Sequence, residues 1–205
     1  EDSGNIYDYF KGRLAFTIEN EQGKPVGFSA RSLEAKPLDG RKYVNSPETP
    51  VFKKSRNLFA LNLAKNTKRN QLILCEGYMD VIAMHQAGFT NTVAALGTSF
   101  PEEQMQLIAR YADRINLIFD ADGAGQKATR RAIENLRRTG LDVRVVTIPD
   151  GKDPDEFIKI NGGNTRFFEL LKSAPGATEF RLNLLKKDYD IDNSTEEKIS
   201  FITEA

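Results

Sequence analysis

The stretch Gln71-Leu72-Ile73-Leu74-Cys75-Glu76-Gly77-Tyr78-Met79-Asp80 decides the fold. Leu72-Ile73-Leu74 is a short apolar run of the kind that forms a strand buried on both faces. An acid and a glycine follow it, and then a run with helical character. The same order returns at Ile115-Asn116-Leu117-Ile118-Phe119-Asp120-Ala121-Asp122, again ahead of a helical run. In parallel α/β sheets, ligands gather where strands end and helices begin. Glu76, Asp120 and Asp122, delivered to that edge, repel one another unless a cation sits between them. An oxygen-only ligand set points to Mg²⁺ or Mn²⁺, and Mg²⁺ typically works beside substrate phosphates.

Working outward, the pattern from residue 71 is regular. A strand at 71–75 leads to a helix over 78–87 ended by Gly88, and a strand at 92–95 follows. Ser99 and Glu102 fit a capping box with Pro101 in the first turn, opening a helix to Ala112. The strand at 115–119 precedes a helix from Gly125 to Thr139, with Gly140 in the C′ position and Ala128, Ala132, Ile133 and Leu136 as its apolar stripe. A last strand covers 142–148. Strands alternating with helices imply a parallel sheet with right-handed crossovers. Beyond Gly151 the chain reads as helical at 155–160, 166–172 and 178–187, and Ser194 with Glu197 suggests another capping box. Before residue 70 it reads as β-rich. Strands are expected at 13–18 and 26–31 around a turn at 21–24, then loop with short strands over 36–57, then a short helix at 58–66.

The composition narrows the function. A chain of 205 residues with 40% hydrophobic content is one large globular domain or two small ones. One cysteine, Cys75, and one histidine, His85, exclude an internal disulfide framework and a Cys/His zinc site, and fit a reducing compartment. No apolar run approaches bilayer length and no signal peptide opens the sequence. The chain begins abruptly and stops inside a helical pattern, which reads as a piece of a longer protein. The formal net charge is +0, but residues 41–69 carry eight basic residues against the single acid Glu48, a local +7 that suits a polyanion.

The acids form a constellation. Gly77 permits a sharp turn after Glu76, and Asp80 lies one helical turn on. Asp120 and Asp122 point the same way if the strand end is extended. Gly151-Lys152-Asp153-Pro154-Asp155 repeats the i, i+2 pair after the last strand, stiffened by Pro154. An EF-hand fails because the twelfth position would be Arg131 rather than a bidentate Glu. A dehalogenase-type phosphatase expects Thr or Val where Ala124 stands, and a glycosyltransferase D-x-D leaves Glu76 unexplained.

Strand-Glu-Gly, strand-D-x-D and D-P-D in this order resemble the Toprim domain of primases, topoisomerases and related nucleases. Further segments resemble the bacterial DnaG-type primase in particular: Glu76-Gly77-Tyr78-Met79-Asp80-Val81, Ala95-Leu96-Gly97-Thr98-Ser99 and Gly151–Asp155. Lys42–Thr49 and Phe52–Leu58 are similar to that family's basic subdomain, and Gly12–Ile18 and Val26–Arg31 to its β-rich entry. Ala121 stands where the family usually has Gly, which leaves the ligands intact.

The resemblance implies an α/β fold: a Toprim-type parallel sheet flanked by helices, an N-terminal β-rich basic subdomain over 1–69, a metal-binding Toprim domain over 70–150 and C-terminal helices over 151–205. It implies a DNA-directed RNA polymerase that makes short RNA primers for replication from ribonucleoside triphosphates on a single-stranded DNA template. The implied cofactor is Mg²⁺ or Mn²⁺, more than one ion, held by Asp120, Asp122 and Asp153, with Asp155 as a further ligand or a supporting partner. Glu76 matches the family's essential acid, as a metal ligand or as the group that takes the hydroxyl proton. Arg31, Lys42, Lys54 and Arg56 match nucleotide or DNA contacts. Asp80 joins them, orients the site or binds a further ion, although an acid in a first helical turn also has a purely structural reading. Tyr43 and Phe52 can stack on bases or pack internally. The implied setting is the bacterial cytoplasm, as a monomer off the membrane, with the replicative helicase engaged through a domain outside this sequence. A non-catalytic Toprim DNA-binding module is the alternative, and the complete acid set argues against it. A phosphatase or Toprim nuclease would not need the basic subdomain, and a fused primase–helicase would share the same core.

Overall fold

A computed structural model of the chain describes residues 8–37, 39–97, 100–118, 123–149, 153–160 and 164–205, with backbone alone at 123–128 and 160. An antiparallel sheet comes first, ordered β1 (Arg13–Glu19), β2 (Pro25–Ser32), β3 (Tyr43–Asn45). Asn20 closes the β1–β2 turn, its Oδ1 accepting the Gln22 and Lys24 amides at 3.0 Å each, and Gly23 supplies φ +78°. A 3₁₀ turn at Lys54–Arg56 follows. Phe52, 0% exposed, packs its ring so close to Gly27 that a Cβ there would sit 3.2 Å from it.

The helix expected over 58–66 shrinks to α1 (Leu61–Ala64). Phe59 instead pairs with Ala94 in an antiparallel bridge, and Ala60 turns left-handed at φ 64°. The backbone hydrogen bonds that would have extended the helix go to the neighbouring sheet, so tertiary pairing overrides local propensity here.

The parallel sheet contains β4 (Gln71–Cys75), β5 (Thr92–Ala94), β6 (Arg114–Ile118) and β7 (Asp142–Val146), in the order β5-β4-β6-β7. Its strands alternate sides as a period of two requires. Leu72 and Leu74 enter one core with Ile115, Leu117, Val143 and Val145, while Ile73 and Cys75 enter the other with Ile118 and Val146. The first core is covered by α1, α3 (Glu102–Ala109) and α4 (Gly123–Leu136); the second by α2 (Tyr78–Gln86), α5 (Pro154–Ile160) and α6 (Asn164–Ser173). Both sheet edges are blunted by single bridges, Phe59–Ala94 beside β5 and Arg144–Gly176 beside β7. α7 (Ala177–Leu185) and α8 (Thr195–Glu204) follow.

Most expected boundaries hold within a few residues. α3 is capped at Pro101, while Ser99 of the expected capping box lies outside the described residues. At α8 the Ser194 hydroxyl accepts the Glu197 amide at 3.2 Å, but the Glu197 carboxylate turns to the Asp190 amide rather than to Ser194. α4 stops at Leu136, and a turn carries the chain to Gly140 at φ +76°.

The chain runs from β4 by α2 to β5 on one side, then by α3 and α4 to β6 and β7 on the other. The helices change faces as the direction changes, so every crossover keeps one hand. The winding therefore reverses between β4 and β6, adjacent parallel strands with Leu74 beside Leu117. That is the position where the strand ends of an open parallel sheet leave a crevice.

Two stability predictions follow. Ala60→Gly should raise stability by about 0.5–1 kcal/mol in urea unfolding, because a left-handed L-residue costs roughly 1–2 kcal/mol and glycine's extra freedom returns only part of that; a lower midpoint would contradict this. At the far end of the sheet Asp142 pairs with Arg114 at 2.6 Å and Arg144 at 2.9 Å. Partial burial pushes its carboxyl up, but the two guanidiniums outweigh that and hold it below the ordinary value. A lowered folded-state value stabilises above the unfolded value and is lost as the pH falls through the folded one. Asp142→Asn should therefore cost under about 1 kcal/mol at pH 7, as the pair is partly exposed, and nothing at about pH 2. Unfolding curves that stay apart in acid would refute it.

Candidate active site

Each acid of the expected set follows a parallel strand, and the chain path gives each its own surroundings. Glu76 comes one residue after β4 and is exposed at the C-terminal edge. Gly77 is the N-cap of α2 at φ −123°, an extended conformation open to any residue, so the expected turning role is corrected. Asp80 packs close to it instead: a Cβ would lie 3.0 Å from Asp80 Oδ2, which accepts the Gly77 amide at 3.2 Å. Asp80 thereby satisfies a free helix-start donor, and it faces the macrodipole's positive end.

Asp153 is bound into α5. Its Oδ1 accepts the Glu156 amide at 2.8 Å as an N-cap, and a second carboxylate oxygen remains. Asp155, two residues on, receives Lys159 Nζ at 2.7 Å. Asp120 and Asp122 lie outside the described residues. Among the described residues no three of His, Cys, Asp and Glu gather closely enough to hold a metal ion. The donor chemistry at this edge is oxygen only. Cys75 is buried within the sheet, and His85 Nε2 is 2.8 Å from the Thr92 carbonyl oxygen. That set suits a hard divalent cation.

The antiparallel sheet brings the basic residues alongside. Arg31 on β2 stands over the Tyr43 ring, 5.9 Å from its centroid. Burial pushes the Tyr43 phenol up, Arg31 draws it back and the nearby Asp80 raises it again, so all three share one neighbourhood. Lys42 and Arg56 are exposed and Lys54 is half-buried; among the described residues none of the three pairs with a carboxylate. Glu48, the one acid of the stretch, is held below the usual carboxylate range by the Lys54 amide and then by Lys53. Phe52 is fully buried, which gives it packing alone, and Tyr43 is half-buried.

Polar residues that sequence reading passed over hold the two sheets together. Gln104 of α3 donates from Nε2 to the Lys54 and Asn57 carbonyls, at 2.8 and 3.0 Å, fixing the basic 3₁₀ turn. Asn45 accepts the Tyr78 hydroxyl at 2.9 Å and donates to the Leu96 carbonyl at 3.0 Å. Asn45 lies inside the segment noted above for its cations, whereas Gln104 carries no local signal because its partners are about fifty residues away. No helix among the described residues is long and apolar enough to cross a membrane.

Comparison with known proteins agrees over both sheets. Residues 1–65 match the family described as the N-terminal domain of the DNA primase catalytic core, and residues 73–158 match the Toprim-like family. A DNA primase of Clostridium acetobutylicum is 43% identical over 191 residues, 92% of this chain and 31% of that protein. The crystal structure of a DNA primase domain from Pseudomonas aeruginosa superposes with a TM-score of 0.87 at 36% identity, covering 100% of this chain and 64% of that one. A DnaG primase catalytic domain bound to ssDNA gives 0.85 at 34% identity, covering 100% and 66%. The chain spans about a third of the length of the curated relatives it matches. Since both family matches lie on one chain, and the whole chain superposes on about two thirds of solved primase cores, this chain belongs to the family of DnaG-type DNA primase catalytic cores.

Proposed function

We propose that this chain is the catalytic core of a DNA primase, a DNA-directed RNA polymerase that copies a single-stranded DNA template into short RNA primers from ribonucleoside triphosphates. The observation that carries this reading is the reversal of winding between β4 and β6, which sets the strand ends at Cys75 and Ile118 side by side on one edge of the sheet. A basic antiparallel sheet stands beside that edge. The reaction is attack by a primer 3′-hydroxyl on an α-phosphate, with pyrophosphate leaving. Toprim primases are metal-dependent as a family; here Asp120, Asp122 and Asp153 would hold Mg²⁺ or Mn²⁺, with more than one ion in play. When bound, the cation offsets charge on the attacking and leaving oxygens. Glu76 takes the hydroxyl proton or joins the ligands. Asp155, already paired with Lys159, serves as a supporting partner, and Asp80 braces the start of α2 beside the nucleotide contacts. Arg31, Lys42, Lys54 and Arg56 hold triphosphate and template phosphates, as positioning contacts with little sequence information.

We assign the basic subdomain to residues 1–69, the Toprim domain to 70–150 and a helical subdomain to 151–205, a division supported by two sheets that share no strand. The whole protein would work as a monomer at the bacterial replication fork, with the replicative helicase as its partner.

Template-directed incorporation of a labelled ribonucleotide on single-stranded DNA tests the reading. Asp120→Ala and Glu76→Ala should each lower metal-dependent synthesis by at least about 10²-fold; retained synthesis in either would remove that residue from the site. Asp153→Asn keeps the cap oxygen and loses the charge. It should abolish synthesis at nearly unchanged stability, whereas Asp153→Ala should also lose about 1 kcal/mol of stability. Equal activity of Asp153→Asn and the parent would reduce Asp153 to a helix cap. DNA binding should weaken with salt, and Lys42→Ala, Lys54→Ala and Arg56→Ala should each flatten the log–log slope by roughly 0.7 per lost phosphate contact. Unchanged slopes would exclude these cations from the interface.

A further inference from the structure

The seam between the two sheets is mostly aromatic. Tyr78, the first residue of α2 and the second after Glu76, is buried among Phe16, Tyr43 and Phe59, with ring centroids 6.3, 5.7 and 4.8 Å away. Apolar packing of that kind holds surfaces together but fixes their register weakly, whereas a satisfied buried polar network admits one arrangement. A part-buried pair of hydrogen bonds through Asn45 crosses this seam. The Tyr78 hydroxyl donates to Asn45 Oδ1 at 2.9 Å, and Asn45 Nδ2 donates to the Leu96 carbonyl at 3.0 Å. Gly97, at φ +71°, approaches so closely that a Cβ would lie 3.4 Å from Asn45 Nδ2. The fully buried Ser29 hydroxyl lies against the phenol without reaching hydrogen-bond geometry to any described partner, and Ser29 faces Asn45 in the β2–β3 register. The carboxamide therefore holds the segments that leave β4 and β5, from a strand whose neighbours Lys42 and Tyr43 belong to the basic side.

We infer that Asn45 is a positioning residue for nucleotidyl transfer: through Tyr78 and Leu96 it sets the placement of Glu76 and the acidic edge relative to the phosphate-binding cations. The inference rests on the polymerase reading above. It does not make Asn45 a substrate contact, and that distinction is what a kinetic test reads.

The test is steady-state primer synthesis by the full chain on saturating single-stranded DNA with Mg²⁺, for the parent, Asn45→Ala, Tyr78→Phe and the double variant, with thermal unfolding and salt-dependent DNA binding alongside. The expected result is a kcat loss of about tenfold or more in Asn45→Ala, with KM for the nucleotide and the DNA salt slope unchanged. Tyr78→Phe, which removes one oxygen and keeps the ring, should lose kcat comparably, and the double variant no more than the worse single one, as for groups acting as a unit. Should Asn45→Ala fail to fold, the Tyr78→Phe result decides. An unchanged kcat with only a lower melting temperature would reduce the network to packing and overturn the inference. So would losses that multiply in the double variant, or a raised KM in place of a lowered kcat. A parent chain that makes no RNA would overturn the polymerase reading, and this inference with it.

Discussion

The architecture depends on one topological constraint: the chain leaves β4 in one direction and β6 in the other, with every crossover of the same hand. Two adjacent parallel strands then send their following helices to opposite faces, and the sheet edge between them stays open. No side chain chooses that location. What the sequence supplies is Glu76 directly after β4, a carboxylate exposed at the end of a run as dry as Leu72–Cys75. The core on either face consists of ordinary aliphatic packing, and its contribution to function is a rigid support for the strand ends.

The second sheet places positive charge beside the acidic edge. Its cations are left available because the few local acids are used elsewhere: Glu48 binds the Lys54 amide and Lys53, and Asp39 pairs with Arg13 and Arg41. Placing such a surface beside several carboxylates raises the question of what keeps the two from collapsing together. The answer lies in the seam. Phe52, Ile18, Tyr78 and Leu96 form a small separate core, and Asn45 and Gln104 tie backbone carbonyls across it. Those side chains hold opposite charges at fixed separation, which direct ion pairs would have consumed.

Much of this was legible in the sequence, for physical reasons that can be named. β4 announces itself because burial on both faces favours the apolar run Leu72-Ile73-Leu74, and the β1–β2 hairpin because Glu21-Gln22-Gly23-Lys24 reads as a turn between two strand-like runs. The failures are equally specific. Leu58–Asn66 has helical composition, yet Phe59 gives its backbone groups to Ala94. Gly77 invites a turn argument, yet its backbone is extended and its amide goes to Asp80. Glu197 fits a capping box, yet its carboxylate finds Asp190 instead. At Phe59 and at Glu197 a partner outside the local window outweighed a local preference worth about 1 kcal/mol or less.

By itself the sequence determined the alternation of strands and helices, the positions of Glu76, Asp80, Asp120, Asp122, Asp153 and Asp155 along it, and the concentration of positive charge over residues 41–69. These are properties of periodicity, order and composition, which covalent connectivity carries unchanged into the fold. The tertiary structure alone decided the strand order β5-β4-β6-β7, the pairing of Phe59 with Ala94, and the bridge from Asn45 to Tyr78 and Leu96. Those depend on which surfaces meet in three dimensions, and partners thirty to fifty residues apart leave no periodic trace in the chain.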